Sequence, residues 1–324
     1  MTDTNVQTGA GGIGDKAAVP GTDPAGELGP VSTQAPLPEE RRASLAADAW
    51  RELRRSPIFW ISSAIIAVYV AIAIAPGLFS GIDAYDTNQC DLSQSLAGPS
   101  GEHWFGRDFQ GCDVYANIIY GTRNSLAVGF IVVFATFLIG TPLGAVAGFY
   151  GGLTDSILSR ILDIFNGIPY FLAGLIILVT LDLPSIWGVV LALTLFGWMS
   201  TARIARSAVI SVRDADFVSA ARSLGATRLR ILLRHVMPNA LAPVIVVTTI
   251  SLGGVVAAEA TYSFLGIGVK PPTISWGLQI ADAQQYWGRA RHILFFPAGA
   301  LSLAVLSFIL LGEAVRDALD PKLR

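Results

Sequence analysis

NSLAVGFIVVFATFLIGTPLGAVAGF, residues 124–149, runs for 26 residues without a single charge. A bilayer core of about 30 Å is crossed by about 20 mainly apolar residues in a helix, so this stretch is long enough to span one. Five further stretches of the same kind lie around it, at roughly 58–79, 157–181, 186–205, 240–264 and 293–312. The fold class this implies is an all-α integral membrane protein with six transmembrane helices.

Composition agrees with that reading. Of 324 residues, 52% are hydrophobic and 14% charged, with a mean hydropathy of +0.56, whereas a soluble domain carries about one quarter charged residues. Lipid is the solvent such a chain requires. A net charge of −2 and no concentrated basic face argue against a nucleic-acid partner. Residues 1–40 contain seven Gly, five Pro and no aromatic residue, too little apolar surface to offset the entropy of ordering. They are expected to form a disordered cytoplasmic tail, followed at 41–57 by an amphipathic pre-helix. The start is not basic, and the first apolar stretch follows Arg51, Arg54 and Arg55. No cleavable signal peptide is indicated, and the first hydrophobic helix is expected to serve as its own uncleaved insertion signal.

Charge placement sets the expected orientation. With six spans and the N-terminus inside, 17 of the 22 basic residues fall in inside segments. Only Arg107, Arg123, Lys270, Arg289 and Arg291 fall outside. Basic residues concentrate on the cytoplasmic side of membrane proteins, which predicts both termini inside. Two loops exceed simple turns. One, about 80–123, is outside and acidic; the other, 206–238, is inside, basic and helical in pattern.

Within the inside loop, Phe217, Ala220, Ala221 and Leu224 fall at i, i+3, i+4 and i+7, one stripe of a short helix. Asp214 and Asp216 stand where acids cap a helix and favour its dipole, and Gly225 stands just past the last turn. Thr227 is placed to cap a second helix through Arg228, Ile231, Leu232 and His235, ended by Pro238. Two readings of the stripe are open. One is a surface helix held to lipid through Arg222, Arg228, Arg230 and Arg234; the other is a docking element for a partner protein. The small Ala220 and Ala221 favour docking in a cleft, because a lipid-surface helix gains from bulkier apolar residues.

The run FVSAARSLG at 217–225, followed by RHVMPN at 234–239, resembles the EAA loop of ABC-importer permeases, with Ser219 in place of the usual Glu. Three other segments resemble the dipeptide/oligopeptide-type permeases of that class: HWFGRDFQGCDV at 103–114, EATYSFLGIG at 259–268 with Pro271, Pro272 and SWG at 275–277, and LGEAVRDALDP at 311–321. Arg107 and Cys112 depart from the family's Thr and Arg. The N-terminal extension resembles that of the C-type subunit. The resemblance implies a type I ABC importer permease in the bacterial inner membrane, forming half of a pathway for dipeptides or oligopeptides. It further implies a homologous second permease, two ABC ATPase subunits and an extracytoplasmic substrate-binding protein. The implied coupling residues are Asp214, Asp216, Phe217, Ser219, Ala220, Ala221, Leu224 and Gly225. ATP and Mg would act on the partner ATPases, because none of the chain's three lysines sits in Gly-Lys-Ser/Thr. The chain itself is expected to be neither an enzyme nor a cofactor protein.

Other residues carry narrower expectations. Cys90 and Cys112 both lie in the outside loop, where oxidising conditions permit a disulfide. Gly140, Gly144 and Gly148 make two overlapping Gly-x-x-x-Gly steps suited to close helix packing, and Pro142 and Pro169 are positions for kinks. Ionisable and amide groups inside spans make Glu259, Asn166 and Asp163 pathway candidates. For Asp163 a pairing with Arg160 competes with that role, and for Glu259 so does bonding to backbone or a neighbouring subunit. His103, His235 and His292 occupy three separate segments and form no metal set with each other. Carriage of nickel or another small solute, or a proton-driven secondary transporter using Glu259 and Asp163, are the alternatives to peptide import.

Overall fold

The computed structural model describes residues 45–183 and 185–319. The expected tail at 1–40 and residues 41–44 of the pre-helix lie outside the described residues. Regular structure there is helical, and the only extended pairing among the described residues is an isolated bridge between Arg107 and Asp113. In chain order the helices are α1 (Leu45–Leu53), α2 (Pro57–Ile74), α3 (Val114–Tyr150), α4 (Gly152–Asn166), α5 (Tyr170–Leu181) and α6 (Ile186–Arg213). They continue as α7 (Asp216–Ser223), α8 (Arg228–Ile231), α9 (Met237–Phe264), α10 (Trp276–Ala283) and α11 (His292–Leu319). Five helical stretches are long and apolar enough to cross a membrane, and α4 with α5 makes a sixth if that pair is one span.

The ends of these helices follow local chemistry. α2 begins with Ser56, whose hydroxyl accepts from the Phe59 N–H at 3.3 Å, and with Pro57 in the first turn, where its missing N–H costs nothing. α3 begins ten residues before the apolar run, because the Asp113 carboxylate accepts from the Ala116 N–H at 2.7 Å and opens the helix there. α6 likewise runs past its apolar part to Arg213.

Two expectations are corrected. Residues 157–181 do not form one straight span: α4 and α5 meet at 77° across Gly167, Ile168 and Pro169. Proline removes a helical donor and pushes the residue before it away from helical angles, so a helix stops there. Nor does Pro238 end its helix. A π-helical turn at Leu232–Val236 joins α8 to α9, with Pro238 in the first turn of α9. Widening the turn in this way accommodates a ring that would otherwise clash one turn back.

The central packing is α3 on α6. A Cβ on Gly140, Gly144 or Gly148 would meet backbone at Trp198, Ala202 and Arg206 respectively, so the two four-residue ladders run against each other in register. Arg213 Nη1 closes that contact at its end by donating to the Gly148 carbonyl at 2.8 Å. α9 and α11 complete the bundle, with Trp276, Phe308, Leu126 and Val256 buried together near the end that carries α10.

Candidate functional site: the α7 turn and the broken helix

The segment between α6 and α8 is a compact hairpin with α7 at its tip. Val218, wholly buried, and Ala221 pack on Ala145, Val209, Ile231, Leu232 and Val236 from α3, α6, α8 and the π turn. α7 is therefore bound to three other helices through its own chain. Its outward face carries Phe217, 47% exposed, Leu224, 88% exposed, and the exposed Ala220, Ser219 and Arg222.

This corrects the single stripe. At 100° per residue Ala221 sits at the edge of the stripe, about 40° from Phe217 and about 60° from Val218, and the fold turns that edge inward with Val218. Ala221 serves the chain's interior and leaves Phe217, Ala220 and Leu224 as an uncovered apolar patch. The helix is eight residues long, and the N-cap position belongs to Ala215, with no side-chain cap. Asp214 instead accepts from Arg213 Nε at 3.2 Å, and Asp216 lies in the first turn, where its charge favours the helix dipole. The C-terminal punctuation agrees with the spacing. Gly225 has φ +79°, its N–H donates to the Arg222 carbonyl at 3.0 Å, and the Ala226 N–H donates to the Ala221 carbonyl at 3.1 Å. That pair of bonds is a Schellman motif, which needs a left-handed residue at this position. The Thr227 hydroxyl then accepts from the Arg230 N–H.

The break between α4 and α5 opens a cleft of about 430 Å³ lined by Asn166, Tyr170, Thr136, Ser200, Thr201 and Ser251 among others. The Asn166 side-chain carbonyl, with the amide oriented to suit, accepts from the Arg203 guanidinium. Asp163 is exposed on α4, outside this cleft, and forms no ion pair with Arg160 among the described residues. The pair that ties α4 to the bundle is Asp155 with Arg206, whose Nη2 donates at 2.7 Å while Nε donates to the other oxygen. Fifty-one residues separate the partners, so no local pattern announces it.

Glu259 does not line this cleft. It is 0% exposed, and Ser263 Oγ donates to its Oε1 at 2.8 Å. Ser125 and Ser275 lie near the carboxyl, but among the described residues neither hydroxyl bonds to it and Glu259 Oε2 has no hydrogen-bond partner. Each of the three serines accepts a backbone N–H, from Val269, Trp276 and Leu278. Of the three hydroxyls, Ser263 is the one that donates to the carboxyl among the described residues. Glu259 is enclosed inside the subunit, bonded within α9, with Ser125 of α3 and Ser275 before α10 nearby.

At the opposite end from α7, Cys90 and Cys112 form a disulfide. Beside it, His103 Nδ1 lies 2.6 Å from Asp113 Oδ2, and Arg107 Nη2 lies 2.7 Å from His103 Nε2. His292 Nε2 reaches the Arg107 carbonyl at 3.2 Å. Two of the three histidines, read as separate, thus converge on Arg107. Among the described residues, no group of three or more His, Cys, Asp or Glu is placed to hold a metal. Asp108 lines a second cavity, of about 380 Å³, with Tyr85, Asn117, Gln279 and Asp282. Burial raises the Asp108 carboxyl above its ordinary value despite bonds from the N–H groups of Cys112 and Gln110 and from Asn117. Burial and the charge of Asp108 raise Asp282 likewise.

Residues 140–324 match the family described as binding-protein-dependent transport system inner membrane component. The chain belongs to that family. The permease also matches, at residues 44–99, the N-terminal transmembrane domain of oligopeptide transport permease C. It is 35% identical to the dipeptide transport system permease protein DppC of Alkalihalophilus pseudofirmus, over 94% of this chain and 99% of that one. It is 34% identical to the oligopeptide transport system permease protein OppC of Bacillus subtilis, over 88% and 92%. To the glutathione transport system permease protein GsiD of Escherichia coli it is 35% identical, over 85% and 90%. A chain of the inward-facing MetNI methionine ABC transporter superposes with a TM-score of 0.51 at 23% identity, covering 62% of the permease and 96% of that chain. That likeness establishes a shared fold. The permease is a multi-pass inner-membrane component of an ABC importer, a family in which separate ATPase subunits hydrolyse ATP.

Proposed function

We propose that the permease forms half of the translocation pathway of an importer for dipeptides or oligopeptides, and that the outward face of α7 is its contact with the ATPase. In this reading α4 and α5 together make the third of six spans, and both termini are cytoplasmic. A second, homologous permease completes the pathway, two ATPases bind ATP and Mg, and an extracytoplasmic binding protein delivers the peptide. The observation that carries the reading is the patch of Phe217, Ala220 and Leu224, left uncovered on a helix whose other face is fixed to α3, α6 and α8. A helix so anchored moves as a unit, which suits it to pass ATPase closure into the bundle. Relatives whose names specify dipeptide, oligopeptide and glutathione transport support a small peptide as cargo. The cleft at the α4–α5 break, with Asn166 beside Arg203, is the proposed stretch of pathway in this subunit. Glu259, wholly buried within the subunit, is not assigned to it.

The test is coupling in the reconstituted importer. Gly225→Val forces a β-branched residue into the left-handed region, at a cost of about 1–2 kcal/mol, and unwinds the C-terminal turn of α7. Space around Gly225 is open, so neighbouring contacts are spared. The variant should insert and assemble yet lose most peptide-stimulated ATP hydrolysis, and Gly225→Asn should retain it. Full stimulation in Gly225→Val would remove α7 from the coupling path.

A further inference from the structure

Between α2 and α3, at the end of the bundle that carries the disulfide, lies a groove of about 430 Å³. Its walls are Val70 and Ile74 of α2 and Leu126, Ala127 and Phe130 of α3, with Arg123 the one polar side chain lining it. The lining is ordered by depth. α2 ends at Ile74 and α3 runs back the other way, so Ile74 and Arg123 share the shallow end while Val70, Ala127 and Phe130 lie progressively deeper. Seven residues of helix separate Arg123 from Phe130, about 10 Å along the axis. Ile74 is 75% exposed and Phe130 41% exposed, so the groove opens away from the bundle, toward the bilayer in a membrane-spanning chain. Arg123 is exposed and has no hydrogen bond or ion pair among the described residues.

A cation at the rim of a groove that is otherwise hydrocarbon matches a ligand with an anionic head and an apolar tail. We propose that this groove is a seat for one anionic phospholipid, its phosphate paired with Arg123 and one acyl chain laid along Val70, Ala127 and Phe130. Guanidinium pairs well with phosphate oxygens. The level of Arg123, beside the last residue of a spanning helix, is the level at which headgroups lie. The inference rests on the chain crossing the membrane, not on α7 or on the cargo.

The importer purified in detergent is to be titrated with phosphatidylglycerol, phosphatidylethanolamine or inorganic phosphate, with bound lipid counted by native mass spectrometry. Wild type should retain phosphatidylglycerol in preference to phosphatidylethanolamine. Arg123→Gln should lower that retention roughly fivefold, the order set by one basic side chain at an anionic lipid surface. Arg123→Lys should recover part of it. A photo-crosslinking residue in place of the exposed Ile74 should capture lipid in membranes. Equal retention by wild type and Arg123→Gln, displacement of the lipid by phosphate alone, or capture of a second permease chain at position 74 would overturn the proposal. Because Arg123 has no hydrogen bond or ion pair among the described residues and retention needs no transport, failure here is distinguishable from failure of the proposed function.

Discussion

Glu259 is the residue whose meaning changes most between sequence and structure. A carboxyl within a span invites a role on the pathway, yet its neighbours Ser125 and Ser275 arrive from remote segments to meet it in the interior. No spacing along the chain shows that convergence; only Ser263, one turn away, was within local reach. Glu259→Gln, which still offers an acceptor, should therefore keep its fold and uptake. Glu259→Leu leaves the buried Ser263 hydroxyl without its acceptor, at about 1–3 kcal/mol, and should lower the melting temperature of the purified permease. Uptake abolished in a stably folded Glu259→Gln would instead place it on the pathway. Gly225 and Thr227 stand at the other extreme, since turn chemistry alone located both. Asp108 and Asp282 carry a prediction in pH. Their carboxyls are raised from an ordinary value of 3.8 by burial, so the folded loop binds protons where the unfolded chain does not. Stability of that loop should rise as pH falls from neutral toward 3.8 and gain nothing further from these groups below it. Hydrogen exchange across residues 83–113 and across α10, which carries Asp282, measures this, and Asp108→Asn should flatten the profile.

At the scale of the element, hydropathy located the helices but not their ends or breaks. Polar caps such as Asp113 extend a helix beyond its apolar run, and the π turn carries α8 through Pro238, so windows of apolar residues began too late. The stripe on α7 was readable as periodicity, but which side the chain would cover depended on Val209 and Ile231, which sequence could not bring near. The α3–α6 seam was legible because glycine at every fourth residue has few other uses in a span. Gly144→Val should be more disruptive than any exposed substitution on α3. Its side chain would drive into the Ala202 backbone, and overpacking at a rigid neighbour costs about 1–3 kcal/mol or more. Loss of folded permease in detergent, against near-normal yield for the exposed Leu138→Ala, is the expected pattern in size-exclusion profiles.

The whole molecule divides into a loop-rich end and an α7 end, joined by packed helices. The disulfide closes a separation of 22 residues at the loop-rich end, and a closed loop of that size stabilises by about 3 kcal/mol in chain-entropy terms. Cys90→Ser with Cys112→Ser should lower the melting temperature without altering the helical content seen by circular dichroism. Alkylation without reductant should leave the mass of the native chain unchanged. The π turn has a larger consequence. Because it splices α8 onto α9 instead of ending the helix, residues 228–264 act as one lever of about 55 Å. Its short arm rests against α7, and near its far end the Ala260 backbone packs on Gly277 of α10. A rotation of about 5° at the α7 end corresponds to a displacement of roughly 5 Å at the other, by the length of the rod alone.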